Sequence, residues 1–186
     1  EAEIPLITIA NPNRSGENHV SSDHWQAYGN LLDHLLKQGI QKIAFADYER
    51  RAEFHYYLEN IREIFQKKLG EQFRPEYFQV ADPYVVFREH GNAYHQICAA
   101  RFAAIWKHNP PEAVITCLPL YEEFCKCHLK AEFAVTVTPE EGFHVKHLLC
   151  AVENAEELLY LSARRMIELL HGDESVQDIR VPFIIK

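Results

Sequence analysis

The sequence predicts an α/β fold, a doubly wound parallel sheet with helices on both faces. Three observations predict it. Strand and helix signals alternate along nearly all of the 186 residues. The strand runs are continuously apolar rather than alternating, as strands buried on both faces must be. The connections between them are short and carry Gly, Asn and Pro. Right-handed crossovers then make the doubly wound arrangement the natural result. A chain of this length holds one substantial core and is short for two independent ones.

Residues 4–9 are a short apolar run that reads as a buried strand, followed by the loop composition Asn11-Pro12-Asn13-Arg14-Ser15-Gly16. Ser22 or Asp23 offers an N-cap for a helix in which Trp25, Tyr28, Leu31, Leu32, Leu35 and Leu36 keep helical spacing, and Gly39 is placed at C′ to end it. Residues 43–46 are the next strand. A long helix is expected over 52–69, with Phe54, Tyr57, Leu58, Ile61, Ile64 and Phe65 on one face and Gly70 as its stop. Residues 77–80 read as a strand. Residues 92–106 read as a helix with Tyr94, Ile97, Cys98, Phe102 and Ile105 inward, broken by Asn109-Pro110-Pro111. Nothing is assigned to 81–91. Residues 113–118 form a continuous apolar strand, 121–129 a shorter helix, 133–137 a strand and 147–152 another apolar piece. Asn154 caps an amphipathic helix over 155–170, closed by Gly172, with an apolar stripe of Leu158, Leu159, Leu161, Met166, Leu169 and Leu170. Residues 181–185 read as a terminal strand.

Composition narrows the function classes. Hydrophobic residues make up 47% and charged residues 25%, the balance of an ordinary globular protein, and no long uncharged apolar run predicts a membrane span. The net charge of −8 repels phosphate and makes direct contact with nucleic acid a poor reading. The odd count of five cysteines, several of them inside apolar runs, reads as free thiols in a reducing cytoplasm. The chain opens at Glu1 with no basic-then-apolar leader, so either a signal has been removed or this is a piece cut from a longer chain, the reading that the resemblance described below favours.

Ligands of doubly wound sheets sit beyond the carboxyl ends of the strands. That rule marks Ala10-Asn11, Asp47-Tyr48, Asp82-Pro83-Tyr84, Leu118-Pro119 and Thr138-Pro139. Tyr48, Tyr84 and Tyr121 offer aromatic faces that suit a sugar ring or a flat ligand, with ordinary packing as an equal alternative. Arg50 and Arg51 would reach an anionic ligand, although an exposed helix start is the commoner fate of such residues. No Ser or Cys stands in a nucleophile-elbow sequence and no Gly-rich phosphate loop occurs, so the sequence assigns no catalytic residue, no cofactor and no enzymatic activity. Cys125-x-Cys127-His128 invites a metal, but the three side chains diverge on a helix and lack the usual four-ligand spacing, so no metal is assigned. The eleven histidines, His90, His95, His144 and His147 among them, read as surface or partly buried structural residues.

The segment VSSDHWQAYGNLLDHLLKQGIQKIAFA, residues 20–46, resembles a signature of the lactose-repressor (LacI/GalR) transcription regulators. The matching residues are Val20, Asp23, Gly29, His34-Leu35, Gly39 and Ile43-Ala44-Phe45. IPLITI before it, PPEAVITC at 110–117, the last helix and the closing VPFIIK are similar to the same family's pattern. The resemblance implies a type I periplasmic-binding-protein-like fold. Residues 1–20 would cross from the N-terminal lobe, 21–152 would form the C-terminal sensor lobe, 153–176 would return as a helix to the N-terminal lobe, and 177–186 would close as a strand. It further implies the effector-sensing part of a cytoplasmic repressor-type regulator. Such a part binds a small molecule, sugar-like by the resemblance, between two lobes and forms a homodimer. It reaches DNA only through a headpiece, helix-turn-helix or winged-helix, that this chain does not contain. The ligand-binding residues expected on this reading are Asn11, Tyr48, Arg51, Tyr57, Asp82, Tyr84, Leu118 and Thr138.

The chain departs from the family's pattern at several of these positions. Leu118-Pro119 stand where Asn-Asp is usual, and Thr138-Pro139-Glu140-Glu141 where a Gly-Phe-Asp-Asp type sequence is usual. Tyr57 aligns with a common ligand-gripping Arg, and Ala10-Asn11 with the usual acid after the first strand. Charged groups that fork hydrogen bonds to sugar hydroxyls are thereby replaced, which implies a different ligand, a weaker one or none. A second reading of the same fold is a periplasmic solute-binding protein of a transporter, against which the free cysteines and the missing leader count. A third, a small doubly wound enzyme, lacks a nucleophile, a phosphate loop and a metal set.

Overall fold

The computed structural model describes residues 5–9, 18–48, 55–137 and 148–186, and of residues 55–57, 83, 84, 92 and 137 the backbone alone. The described strands are β1 (Ile7–Ile9), β2 (Asn18–Ser22), β3 (Ile43–Tyr48), β4 (Phe78–Ala81), β5 (Ala113–Cys117), β6 (Glu132–Val137), β7 (Leu149–Val152), β8 (Asp178–Val181) and β9 (Ile184–Ile185). The helices are α1 (His24–Lys37), α2 (His55–Leu69), α3 (Pro83–His90), α4 (Tyr94–Ile105), α5 (Leu118–Lys126) and α6 (Ala155–Leu170). Six strands form one sheet in the order β4-β3-β5-β6-β7-β9, parallel except for β9, which runs antiparallel to β7. A second sheet has the order β1-β2-β8, all parallel. The α/β class with parallel sheets is the one the sequence predicts.

Strand β3 shows why the large sheet carries helices on both faces. Its side chains alternate: Ile43 and Phe45 point into a cluster with α1 and α2, where Tyr28, Leu31, Leu35, Ile61 and Phe65 are buried. Ala44 and Ala46 point into a second cluster with α4 and α5, where Phe102, Trp106 and Phe124 are buried. With both faces covered, residues 43–46 of β3 are all apolar, and Val114 and Ile115 of β5 likewise face opposite clusters while fully buried. Trp106 satisfies its indole by donating to the Glu76 carbonyl at 2.9 Å.

Helix ends follow the residues that cap them. The Asp23 carboxylate accepts from the Gln26 amide at 2.9 Å, and Asn154 from the Glu157 amide at 3.3 Å. Gly39 follows the α1 C-cap with φ +85°, a left-handed conformation that only glycine adopts cheaply.

The structure differs from the sequence reading in four elements. Residues 83–90 form α3, which the apolar pattern does not signal, because Val85 and Phe87 are exposed while Val86 between them is buried. The Asp82 carboxylate starts this helix by accepting from the Val85 amide at 3.3 Å, and Pro83 supplies a preset φ at its first position. Strand β2 carries buried polar residues, His19, Ser21 and Ser22, so no apolar run marks it. The strand expected over 181–185 is two strands in two sheets, separated by Pro182, which has no amide to donate, and by Phe183, which is buried against the α1 side of the large sheet. Helix α5 starts at Leu118, earlier than its apolar spacing indicates, with Pro119 in its first turn.

Helix α6 covers the small sheet with Leu158, which packs on Val20 and Val181. Of its expected stripe, Leu159 and Leu170 are instead exposed, and its buried face includes Ser162 and Arg165. Arg165 is fully buried and donates to Asn18 Oδ1 at 2.9 Å, to Glu168 at 3.0 Å, to Asp173 at 2.5 Å and to the Ser175 carbonyl. It joins α6, the start of β2 and the turn after the helix.

Candidate functional site

In the large sheet the chain winds from β3 outward to β4, then crosses back over β3 to β5 and continues to β6 and β7. The winding therefore reverses between β3 and β5, and their carboxyl ends flank the switch-point crevice of such a sheet. Asp47 and Tyr48 end β3, and Cys117 ends β5 immediately before Leu118 opens α5. Asp47 is buried, its carboxylate accepts from the Tyr48 amide at 2.8 Å, and it also lies against the Cys117 thiol.

Tyr48 points to the α4 face of the sheet, the face of Ala44 and Ala46. There its hydroxyl is hydrogen-bonded to Nδ1 of His95, in the first turn of α4. The Tyr94 ring lies 5.6 Å from that of Tyr48 and 3.8 Å from that of His95, and Phe87 of α3 meets Tyr94 edge-on at 5.9 Å. Three elements thus bring four rings together at the carboxyl edge, and Phe87 remains half exposed.

Burial sets the charge state of this cluster. It pushes the Tyr48 phenol well above the usual phenol range, with Cys117, Cys98, Tyr94 and Asp47 adding to the effect. It raises Tyr94 in the same way and lowers His95, against a partial opposing effect of Glu123 and Glu122. The Cys117 thiol is held well above its ordinary value by burial and then by Asp47. At neutral pH the cluster presents neutral phenols, a neutral imidazole and a protonated thiol. The Tyr48 hydroxyl and Nδ1 of His95 share one hydrogen bond, whose direction follows the tautomer of the imidazole. These groups suit stacking and uncharged hydrogen bonding, whereas nucleophilic attack by sulfur would need the thiolate.

The expected site residues fall into three groups. Tyr48 and Leu118 are brought to the two sides of the β3–β5 crevice, and Leu118 is half-buried against Val135, Cys150 and Val152. Asp82 follows β4, one position beyond the register partner of Tyr48, and is occupied as the cap of α3. Tyr57 and Tyr84 are placed in the first turns of α2 and α3, their side chains lying outside what is described. Asn11, Arg51 and Thr138 lie outside the described residues, as do Arg50, His144 and His147. Tyr121 is inside α5, edge-on to Phe133 at 5.2 Å, which is ordinary packing. Cys125 and Cys127 are exposed at the end of α5, and among the described residues no three His, Cys, Asp or Glu side chains are grouped to hold a metal. No described helix is long and apolar enough to cross a membrane.

Sequence reasoning missed Tyr94 and His95 as site residues and took them for core and structural positions. The available signal was position. A helix that follows a parallel strand begins at that strand's carboxyl edge, so the first turn of α4 belongs beside the crevice.

Solved structures of transcription regulators share this fold. A LacI family transcriptional regulator from Enterococcus faecium, with bound ribose, matches 98% of this chain and 68% of its own at 15% identity and a TM-score of 0.71. A PurR family transcriptional regulator from Vibrio parahaemolyticus matches 98% of this chain and 67% of its own at 15% identity and a TM-score of 0.70. A periplasmic binding protein/LacI transcriptional regulator from Alkaliphilus metalliredigens, complexed with D-xylulofuranose, matches 99% and 69% at 14% identity and a TM-score of 0.68. The chain has the LacI-type, periplasmic-binding-protein-like fold. It spans about two thirds of the length of the solved chains it matches. No family model matches the chain, and no curated protein matches it.

The residues that resemble the LacI signature have structural work in this LacI-type fold. Asp23 caps α1, and Gly39 supplies the left-handed turn after it. Gly29 faces α2, where a Cβ would stand 3.3 Å from the end of the Lys68 side chain. Ile43, Ala44 and Phe45 feed both core clusters from the strand that leads to Tyr48.

Proposed function

We propose that this chain is the effector-sensing part of a LacI-type transcription regulator. A small molecule binds at the β3–β5 crevice, between the large sheet and a lobe built on the small sheet, and acts by favouring one setting of the two over another. The observation that carries the reading is the structural match of nearly all of this chain to such regulators, with a switch point beside which this chain gathers the rings of Tyr48, Tyr94 and His95. Two of the matched proteins hold sugars, ribose and D-xylulofuranose. A ring-shaped polyhydroxy ligand would stack on Tyr48, Tyr94 or Phe87 and exchange hydrogen bonds with phenol and imidazole. Asn11, Arg51, Tyr57, Tyr84, Leu118 and Thr138 complete the proposed site.

In this reading residues 21–152 form the sensor lobe, while 1–20 and 153–176 belong to the other lobe. The protein works in the cytoplasm as a homodimer and acts as a repressor through a DNA-binding headpiece. The ligand changes DNA affinity only through its differential affinity for the two settings. The test is made on the full-length product of the parent gene, on DNA upstream of that gene. Retarded migration of the DNA, reversed by ribose or another pentose, is expected. A reading frame without a DNA-binding segment before Glu1 would end the regulator reading.

A further inference from the structure

Three connections link the two sheets. Asp23 leads from β2 into α1, Glu153 and Asn154 lead from β7 into α6, and Pro182 and Phe183 lead from β8 into β9. Any rotation of one sheet against the other must pass through these short segments, which side by side form a joint. They are held to one another by contacts between residues remote in sequence. Ser22, almost fully buried at the end of β2, donates its hydroxyl to Glu153 Oε1 at 2.5 Å, tying the first connection to the second across 131 residues of chain. The Asp23 amide donates to the Val181 carbonyl at 2.7 Å, and the His24 and Phe183 rings lie 5.0 Å apart, tying the first to the third. Arg180 of β8 donates to Ser21 Oγ at 2.9 Å and lays its guanidinium over the Trp25 ring of α1 at 5.2 Å, so it reaches from the small sheet to a helix of the large one.

We infer that the Ser22–Glu153 hydrogen bond is a latch on this joint, and that it fixes the relative setting of the two sheets with Arg180–Trp25 as a second tie. A carboxylate accepting a short hydroxyl bond is among the stronger single contacts a linker makes. It costs the backbone nothing to release, because neither side chain serves a sheet ladder. The neighbouring Asp23–Val181 bond is main chain and remains in any variant. The inference stands on the geometry of the connections and requires no ligand. To the proposed closure it adds the residues that would resist it.

The test is native-state hydrogen exchange of the 186-residue chain, comparing Ser22→Ala, Glu153→Ala and Glu153→Gln with the parent. Removing a charged hydrogen bond is expected to raise exchange about tenfold. The rise should appear together in the amides of residues 22–26, 152–157 and 180–184, with β3 and β5 unchanged. Glu153→Gln keeps an Oε1 acceptor and should retain most of the protection. A latch is overturned by unchanged exchange or by a rise confined to the substituted segment. It is equally overturned by a uniform rise of all slowly exchanging amides, which would mark Ser22–Glu153 as an ordinary contributor to global stability.

Discussion

The Tyr48 hydroxyl at the end of β3 is hydrogen-bonded to Nδ1 of His95 at the start of α4, joining the central strand to the crossover helix beside the switch point. The bond binds the aromatic cluster to the sheet edge. Tyr48→Phe keeps the ring and removes the hydroxyl, leaving His95 Nδ1 without that partner. A loss of about 1 kcal/mol is expected in urea denaturation, with an unchanged m-value. A loss near zero would mean the bond is not held in solution.

The same histidine gives the fold a pH dependence. Burial holds His95 below its ordinary value of 6.5 in the folded chain. The unfolded chain then binds more protons between that ordinary value and the lower folded one. The stability associated with neutral His95 is present above pH 6.5 and is lost as the pH falls through this window. Melting temperatures measured from pH 7.5 down to 5 should fall more steeply for the parent than for His95→Gln. Equal slopes would assign the acid sensitivity to other groups.

Arg165 lies under α6 with no exposed surface and with four partners in three segments. Removing one member of such a network strands the others, so Arg165→Met is expected to lower Tm by about 6–12 °C. Its partner Asp173 is held down to about 2, first by the Ser175 hydroxyl and amide and then by Arg165. Because the folded value lies below the ordinary 3.8, the stabilisation is present above that pH and is lost as the pH falls through about 2. Asp173→Asn should flatten the decline of Tm between pH 4 and 2; an unaltered decline would contradict the role given to Asp173.

Two positions at the ends of α1 carry separate predictions. Asp23→Ala removes the N-cap and is expected to cost about 1 kcal/mol. Gly39→Ala places a Cβ on a backbone at φ +85° and is expected to cost a similar amount, about 1 kcal/mol. The sites are far apart along one helix, so the double variant should show the sum within about 0.5 kcal/mol. Chemical denaturation of the three variants checks both the costs and their independence.

Elements whose residues answer to one local force were legible in the sequence. Helix α6 is bounded in the sequence by Asn154 and Gly172, α1 by Ser22 or Asp23 and by Gly39, and β5 by its unbroken apolar run, because caps and burial on two faces leave direct marks. Strand β2 was hidden because His19, Ser21 and Ser22 are buried by neighbours that only the fold supplies. The split of residues 178–185 into two sheets was hidden because the same apolar residues satisfy either sheet, and the decision rests on Pro182 and the distant pocket that takes Phe183. At the site, the strand-end rule found Tyr48 and Leu118. It found neither Tyr94 nor His95, whose part in the cluster depends on where α4 begins after a crossover that contains an unforeseen helix, α3.

The most direct measurement is a thermal-shift titration of this chain with ribose, xylulose, hexoses, nucleobases and amino acids, repeated with Tyr48→Ala and Tyr94→Ala. A ligand that binds the native state raises Tm with concentration. One chemical class should raise the melting temperature of the parent chain dose by dose, with the response reduced at least about tenfold in apparent affinity by either substitution, the loss of one stacked ring. A ligand response that survives both substitutions undiminished, or no response to any class, would contradict a sensor site at the β3–β5 crevice.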